Sequence, residues 1–283
     1  MRKIGAHVSA SGGLDQAVIR AAEIGANCLQ LFSGSPRIWQ KKNLGQFDLS
    51  KLTEARKKYR VDPIFTHALY LVNLASDKLE LVKKSSESLI YELKFDALIH
   101  GSGVIIHAGS HQGRGWLSVQ HQVIEQIKLI LENTPNNSTL LIENAAGQKG
   151  KLHGNLTDIK WTLDQLPEFV NNNRLGWCFD TCHAYAAGYQ LGQQENNVIE
   201  QITQLNLWPA LKCIHVNDSR DDAASGRDRH ANIGDGLIPQ EDLKYFLNYS
   251  QVIDLPLITE VPGINGDGPD KENILRIKKI THS

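Results

Sequence analysis

Apolar and polar positions follow two alternating periods from one end of the chain to the other. Short apolar runs rich in β-branched residues read as buried strands, and the longer stretches between them, with apolar residues recurring at three and four, read as helices. The strand-like runs fall at 4–8, 28–32, 63–67, 104–107, 139–143, 176–180, 212–216 and 257–260, and the clearest helical stretches at 14–24, 79–99, 116–132, 158–166, 240–249 and 271–280. Eight strand segments alternating with eight helical ones imply βαβ units and a parallel sheet. Eight such repeats close a ring, so the expected fold is α/β, a (β/α)8 TIM barrel. No Ser/Pro-rich linker or charge block interrupts the alternation, so residues 1–283 are expected to form a single domain. The charge- and Gly-rich stretch 217–235 is expected to be the longest irregular connection.

Six of the strand-like runs end on a potential metal ligand: His67, His107, Glu143, Asp180, His215 and Glu260. Residues two apart on a strand share a face. Each of these side chains therefore sits above Phe65, Ile105, Leu141, Cys178, Cys213 or Ile258, residues able to fill a closed interior. Barrel active sites lie at the carboxyl ends of the strands, where the six converge; an open sheet would spread eight strand ends over roughly 35–40 Å. His183, Asp228 and His230 fall on the same side and bring the set to nine. Imidazole and carboxylate without thiolate is the donor set of catalytic zinc, or of manganese and iron, rather than of structural zinc fingers. Nine donors exceed one tetrahedral centre and suit two or three ions. A cluster of that size activates water and clamps the attacking and leaving oxygens of a phosphodiester, the logic of two-metal nucleases and phosphatases. His7 closes the first run over Gly5 and is expected to support the ligands rather than join them, whereas His100, His111, His121 and His153 are expected in solvent.

Composition narrows the partners. Thirty Lys and Arg against 31 Asp and Glu give a net charge of −1, so no global basic field exists and a polyanion must be met by a local patch. The four cysteines form no C-x-x-C pair and are expected as buried thiols in a reducing compartment. The chain opens on a strand-like run, and no apolar run nears the roughly 18 residues of a membrane helix. These features point to the cytoplasm and to no membrane partner.

The stretches GAHVSASGG at the start, H-x-x-YLVNLAS from His67, H-x-GSH from His107, IENAAGQ from Ile142, DTCHAYAAGY from Asp180, HVNDS from His215, GRDRHANIGDG from Gly226 and the late TEVPG together resemble the endonuclease IV family of apurinic/apyrimidinic (AP) endonucleases. The resemblance spans nearly the whole chain. It implies a zinc-dependent hydrolase that cuts DNA on the 5′ side of an abasic site, leaves a 3′-hydroxyl and removes 3′ blocking groups in base excision repair. It further implies three zinc ions, with His67 and His107 on the first, Glu143 bridging it to a second completed by Asp180, His215 and Glu260, and His183, Asp228 and His230 on the third. Manganese is compatible with one or more of these positions. Glu143 is the expected catalytic residue, Arg37, Tyr70 and Leu71 the expected DNA contacts, double-stranded DNA with abasic sites or blocked 3′ ends the expected partner, and a monomer the expected state. Leu69 and Ala108 stand where the family has proline, which predicts looser loops after the first two histidines. Two rivals remain: a sugar isomerase or epimerase, which needs only Glu143, Asp180, His215 and Glu260, and a lesion-binding protein whose metal cluster is structural.

Overall fold

All eight apolar runs are strands in the computed structural model, which describes residues 1–281; the last two positions of the expected 1–283 domain lie outside the described residues. They are β1 (Ile4–His7), β2 (Cys28–Phe32), β3 (Ile64–His67), β4 (Val104–Ile106), β5 (Leu140–Glu143), β6 (Leu175–Asp180), β7 (Leu211–His215) and β10 (Leu257–Thr259). Two short strands outside the barrel, β8 (Asp218–Ser219) and β9 (His230–Ala231), come between β7 and β10 in the chain. Every neighbouring pair in the barrel is parallel, and β10 pairs with β1, so the sheet closes. Helices α1 (Leu14–Glu23), α2 (Leu49–Tyr59), α3 (Leu79–Leu98), α4 (Trp116–Glu132), α5 (Leu156–Asp164), α6 (Pro167–Asn171), α7 (Thr181–Ala186), α8 (Val198–Gln204), α9 (Gln240–Leu247) and α10 (Lys271–Ile280) fill the connections.

The strand period divides the apolar residues into two cores. Cys28, Phe65, Ile105, Leu141, Cys178, Cys213 and Ile258 form a closed cluster inside the barrel, the six expected residues plus Cys28. The other strand face joins the helices in a much larger core that includes Leu29, Leu31, Ile106, Trp177 and Phe179. Gly5 lets β1 approach β2: a Cβ there would lie 2.0 Å from the Cys28 carbonyl oxygen.

Three expectations need correction. The described residues contain ten α-helices rather than eight helical segments, because Pro167 starts a new short helix after α5 and α7 begins directly at the end of β6. The stretch 217–235 is not wholly irregular: β8 and β9 pair antiparallel, Ser219 opposite His230. Its organiser is the buried Asp218 carboxylate, which accepts from the backbone N–H groups of Ser219, Gly234, Gly236 and Ile238 at 2.8, 2.9, 3.2 and 3.0 Å. His153, expected in solvent, is fully buried with Nε2 3.0 Å from the Thr162 hydroxyl and its ring 5.4 Å from Trp116. Leu69 and Ala108, in the places where the family has proline, are buried, and the Ala108 carbonyl accepts from Leu74 N–H at 3.0 Å.

Candidate metal centre

Polar side chains crown the interior cluster at the carboxyl ends of β3 to β7 and β10, and the β9 ribbon leans His230 in from the side. All nine expected ligands meet there. Their donor atoms fall into three close groups: His67, His107 and Glu143; Glu143, Asp180, His215 and Glu260; His183, Asp228 and His230. Within each group the donors lie inside 4.8 Å of one another, and Glu143 belongs to two. Its carboxylate faces both ways. Oε1 lies 3.0 Å from His215 Nδ1 and 3.3 Å from His183 Nδ1, while Oε2 lies 3.4 Å from Nε2 of both His67 and His107.

Local structure fixes each ligand. Asp180 is the N-cap of α7, its Oδ1 accepting from His183 N–H at 2.8 Å, while Asn217 Nδ2 donates to its Oδ2 at 2.6 Å. Capping also explains the three-residue spacing from Asp180 to His183. Two of the imidazoles are tied to backbone carbonyls at one nitrogen: His67 Nδ1 to the Ala68 carbonyl at 2.8 Å and His183 Nδ1 to the Asn144 carbonyl at 2.9 Å. A carbonyl only accepts, so these nitrogens carry the proton and the opposite nitrogens face the mouth. His183 Nε2 and His230 Nε2 are buried with no hydrogen bond, although Asp228 Oδ1 lies 3.0 and 3.3 Å away.

An imidazole nitrogen aimed at carboxylates is stable only as a protonated group or beside a cation. The titration behaviour reports that demand. Burial pulls His215 down, but the Glu260 and Glu143 carboxylates outweigh it and raise the ring to about 10. Burial likewise opposes ionisation of Asp228 and Glu260, yet the facing imidazoles hold both well below the usual carboxylate range. His107, whose burial is less fully offset, falls to about 4. Orphaned nitrogens and carboxylates shared between imidazoles fit divalent ions bound by nitrogen and oxygen; Cys182 also comes within reach of Asp180 and His230, but burial pushes its thiol up to about 12 and keeps it protonated. Cys178 and Cys213 also come within reach of His215, but burial drives the Cys178 thiol well up, which keeps it protonated, and both residues belong to the apolar interior cluster.

The mouth is a cavity of about 350 Å³ lined by His67, Tyr70, His107, His183, Asp228, His230, Glu260 and Pro262. Tyr70 is 58% exposed, its ring 5.4 Å from Phe32 and 5.7 Å from His67. Arg37 is exposed on the loop after β2, which meets the Tyr70 loop where Tyr70 N–H donates to the Pro36 carbonyl at 3.2 Å. Leu71 is half-buried and packs against the main core.

Comparison with known proteins agrees with the motifs. Residues 18–280 match the family described as xylose isomerase-like TIM barrel. A "Probable endonuclease 4" of Halothermothrix orenii is 37% identical over 97% of this chain and 99% of its own length. The chain belongs to the endonuclease IV family. A second member, from Thermosipho africanus, is 34% identical over 99% of this chain and all of its own. The crystal structure of endonuclease IV from Thermus thermophilus superposes with a TM-score of 0.85 at 29% identity, covering 99% of this chain and 98% of that one. A D-tagatose 3-epimerase-like protein, at 20% identity, TM-score 0.73 and coverage of 99% and 97%, shares the fold alone.

Several residues of the centre carry roles the sequence did not disclose. Asn144 accepts from Asp180 N–H at 2.7 Å through Oδ1 and donates to the Asp180 carbonyl at 3.1 Å. Asn217 accepts from Glu260 N–H at 2.8 Å, and Gln30 touches both His215 and Glu260. Asn144 and Asn217 sit close behind ligands inside IENAAGQ and HVNDS. Gln30 had only one signal, a polar residue alone in the apolar run Cys28–Phe32.

Proposed function

We propose that the chain is a metal-dependent phosphodiesterase that hydrolyses double-stranded DNA on the 5′ side of AP sites, leaves a 3′-hydroxyl and trims blocked 3′ ends in base excision repair. The single observation that carries this reading is the division of nine ligands into three groups, two of them joined through Glu143. His67, His107 and Glu143 are assigned to one ion, Glu143, Asp180, His215 and Glu260 to a second, and His183, Asp228 and His230 to a third. Zinc suits the imidazole-rich groups, and manganese is compatible with the carboxylate-rich one. Ions held there supply Lewis acidity and an activated water for attack on the phosphodiester.

The chain's own residues supply position and exclusion. Glu143 holds two donor groups at fixed separation, and the buried imidazoles keep bulk water from beneath the phosphate. Asp228, with its side chain 38% exposed, stands on the open side, where a substrate arrives. Arg37, Tyr70 and Leu71 are assigned to DNA beside the lesion. The three donor groups are complete within this chain and need no residue from a second copy, and the proposed active species is a monomer. A sugar epimerase reading accounts for Glu143, Asp180, His215 and Glu260 but leaves His67, His107, His183, Asp228 and His230 without work. No helix among the described residues is long and apolar enough to cross a membrane.

A duplex carrying one tetrahydrofuran abasic analogue tests the proposal. The zinc-loaded protein is expected to nick that strand 5′ to the analogue, to leave an undamaged duplex intact and to stop when a chelator is added. Absence of a nick from protein of verified metal content would refute the assignment.

A further inference from the structure

Six of the eight barrel strands lead into a ligand at their carboxyl ends, and β1 and β2 do not. They present instead His7 and Gln30, which are adjacent across the ladder in register. Gln30 is fully buried and spends both amide N–H groups and one lone pair of its carbonyl at the centre. Its Oε1 accepts from His215 Nε2 at 2.8 Å. Its amide nitrogen donates to Glu260 Oε1 at 2.6 Å and to His7 Nδ1 at 2.8 Å. The amide orientation follows from chemistry: reversed, its oxygen would press on the Glu260 carboxylate and its N–H on the proton of His215.

These three bonds decide which atoms are free to coordinate. With Nε2 of His215 committed as a donor, only Nδ1 remains, and Nδ1 faces Glu143 Oε1 at 3.0 Å and Glu260 Oε2 at 3.3 Å. With Glu260 Oε1 held by Gln30, Oε2 is the oxygen turned toward the centre. His7 Nδ1 also lies 3.3 Å from Glu260 Oε1, but the shorter contact from Gln30 occupies its lone pair and leaves the ring neutral.

We infer that Gln30 is a positioning residue for the central ion: one amide selects Nδ1 of His215 and Oε2 of Glu260 as its ligand atoms, and His7 braces that amide from the neighbouring strand. This inference rests on the metal-dependent reading of the same centre. Supporting groups of this kind change metal affinity through the ligand they orient, characteristically by roughly 10–100-fold.

The test uses zinc-loaded parent, Gln30→Met and Gln30→Glu, with two readouts besides activity. The first is the rate of zinc release to a colorimetric chelator. The second is the ¹⁵N imidazole spectrum, in which a hydrogen-bonded Nε2–H of His215 is protected from exchange. Gln30→Met keeps the volume and removes every polar contact, so zinc release should quicken by roughly 10–100-fold and the protected proton should vanish. Gln30→Glu keeps an acceptor for His215 but sets a second carboxylate against Glu260. It should retain the protected proton while still releasing zinc faster, a split that a merely space-filling residue would not produce. Either variant alone suffices if the other fails to fold. A parent that binds zinc and variants that match it in both readouts overturn the role of Gln30. A parent that retains no zinc overturns the metal reading itself and this inference with it.

Discussion

At the scale of single residues, the centre is a problem in hydrogen-bond accounting. The convergence of the nine candidate ligands was legible in the sequence because strand periodicity puts each of six above an interior residue, and the same six interior residues recur inside the barrel. Which atom of each ligand faces the mouth was not legible, since that depends on partners distant in sequence, such as Gln30 and His215, 185 positions apart. Glu143 makes the energetic stake plain. It is fully enclosed, and each carboxylate oxygen faces two imidazole nitrogens, so an amide in its place exchanges one anionic ligand oxygen for an N–H and strips one of the two donor groups of its carboxylate. Glu143→Gln is therefore expected to lower nicking by more than the roughly 10–100-fold typical of a supporting residue and to reduce bound zinc per chain, with the circular dichroism unchanged. Elemental analysis finding full zinc in a variant of near-normal activity would show that Glu143 does not join the two groups.

At the scale of elements, strands were easier to read than connections. A buried parallel strand announces itself by an uninterrupted apolar run, and all eight barrel strands fall within a residue or so of their expected bounds. The β8–β9 ribbon was hidden because two-residue strands have no period, and the group that organises them is the buried Asp218 carboxylate. Helix α3 carries a comparable surprise. It buries Glu92 and Asp96 completely; Glu92 is paired with Lys41 from the loop after β2, while Asp96 has only hydroxyl and backbone partners, Thr66 Oγ1 donating to it at 3.1 Å. Burial raises Asp96 to about 7, the hydrogen bonds from Thr66 and Gly103 opposing it and the Glu92 charge adding to it. The unfolded group ionises near pH ~4. Between about pH 4 and 7 the unfolded chain gives up this proton while the folded chain keeps it, so the Asp96 contribution to stability is full below about pH 4, falls across that window and is flat above it. Asp96→Asn removes the titration. Relative to the parent it should gain on the order of 2–4 kcal/mol between about pH 4 and pH 8, read by urea unfolding at both ends. A constant difference between the two proteins would mean that the carboxyl is ionised throughout.

At the scale of the whole molecule, the question is how a chain of net charge −1 holds a polyanion. Four carboxylates stand in the metal centre, and of the nearby cations Arg227 and Arg229 lean toward Asp221, at 3.2 and 3.9 Å. The single Asp221 carboxylate offsets only one of these two charges. Arg37 does stand exposed near Tyr70, the two loops being joined through the Pro36 carbonyl. Selectivity must then come from shape more than from field. An abasic site lacks one stacking partner, so kinking and extruding the chain there costs less than in intact duplex, and an aromatic side chain beside the gap converts that difference into preference. Tyr70 fits the task, more than half exposed, on the rim of the cavity and stacked edgewise on Phe32. Leu71 can offer only its exposed part, since the rest is committed to the core. Tyr70→Ala should leave zinc content unchanged, raise KM several-fold and reduce the preference for abasic over intact duplex by roughly the 1–3 kcal/mol that base–aromatic stacking supplies. Fluorescence-anisotropy titrations of both duplexes at two salt concentrations separate this contact from a charge effect, because loss of stacking lowers affinity without changing the salt slope, whereas Arg37→Ala should reduce that slope by about one. If Tyr70→Ala keeps the parent's preference at both salts, the ring is no wedge and lesion selection lies in the metal cavity alone.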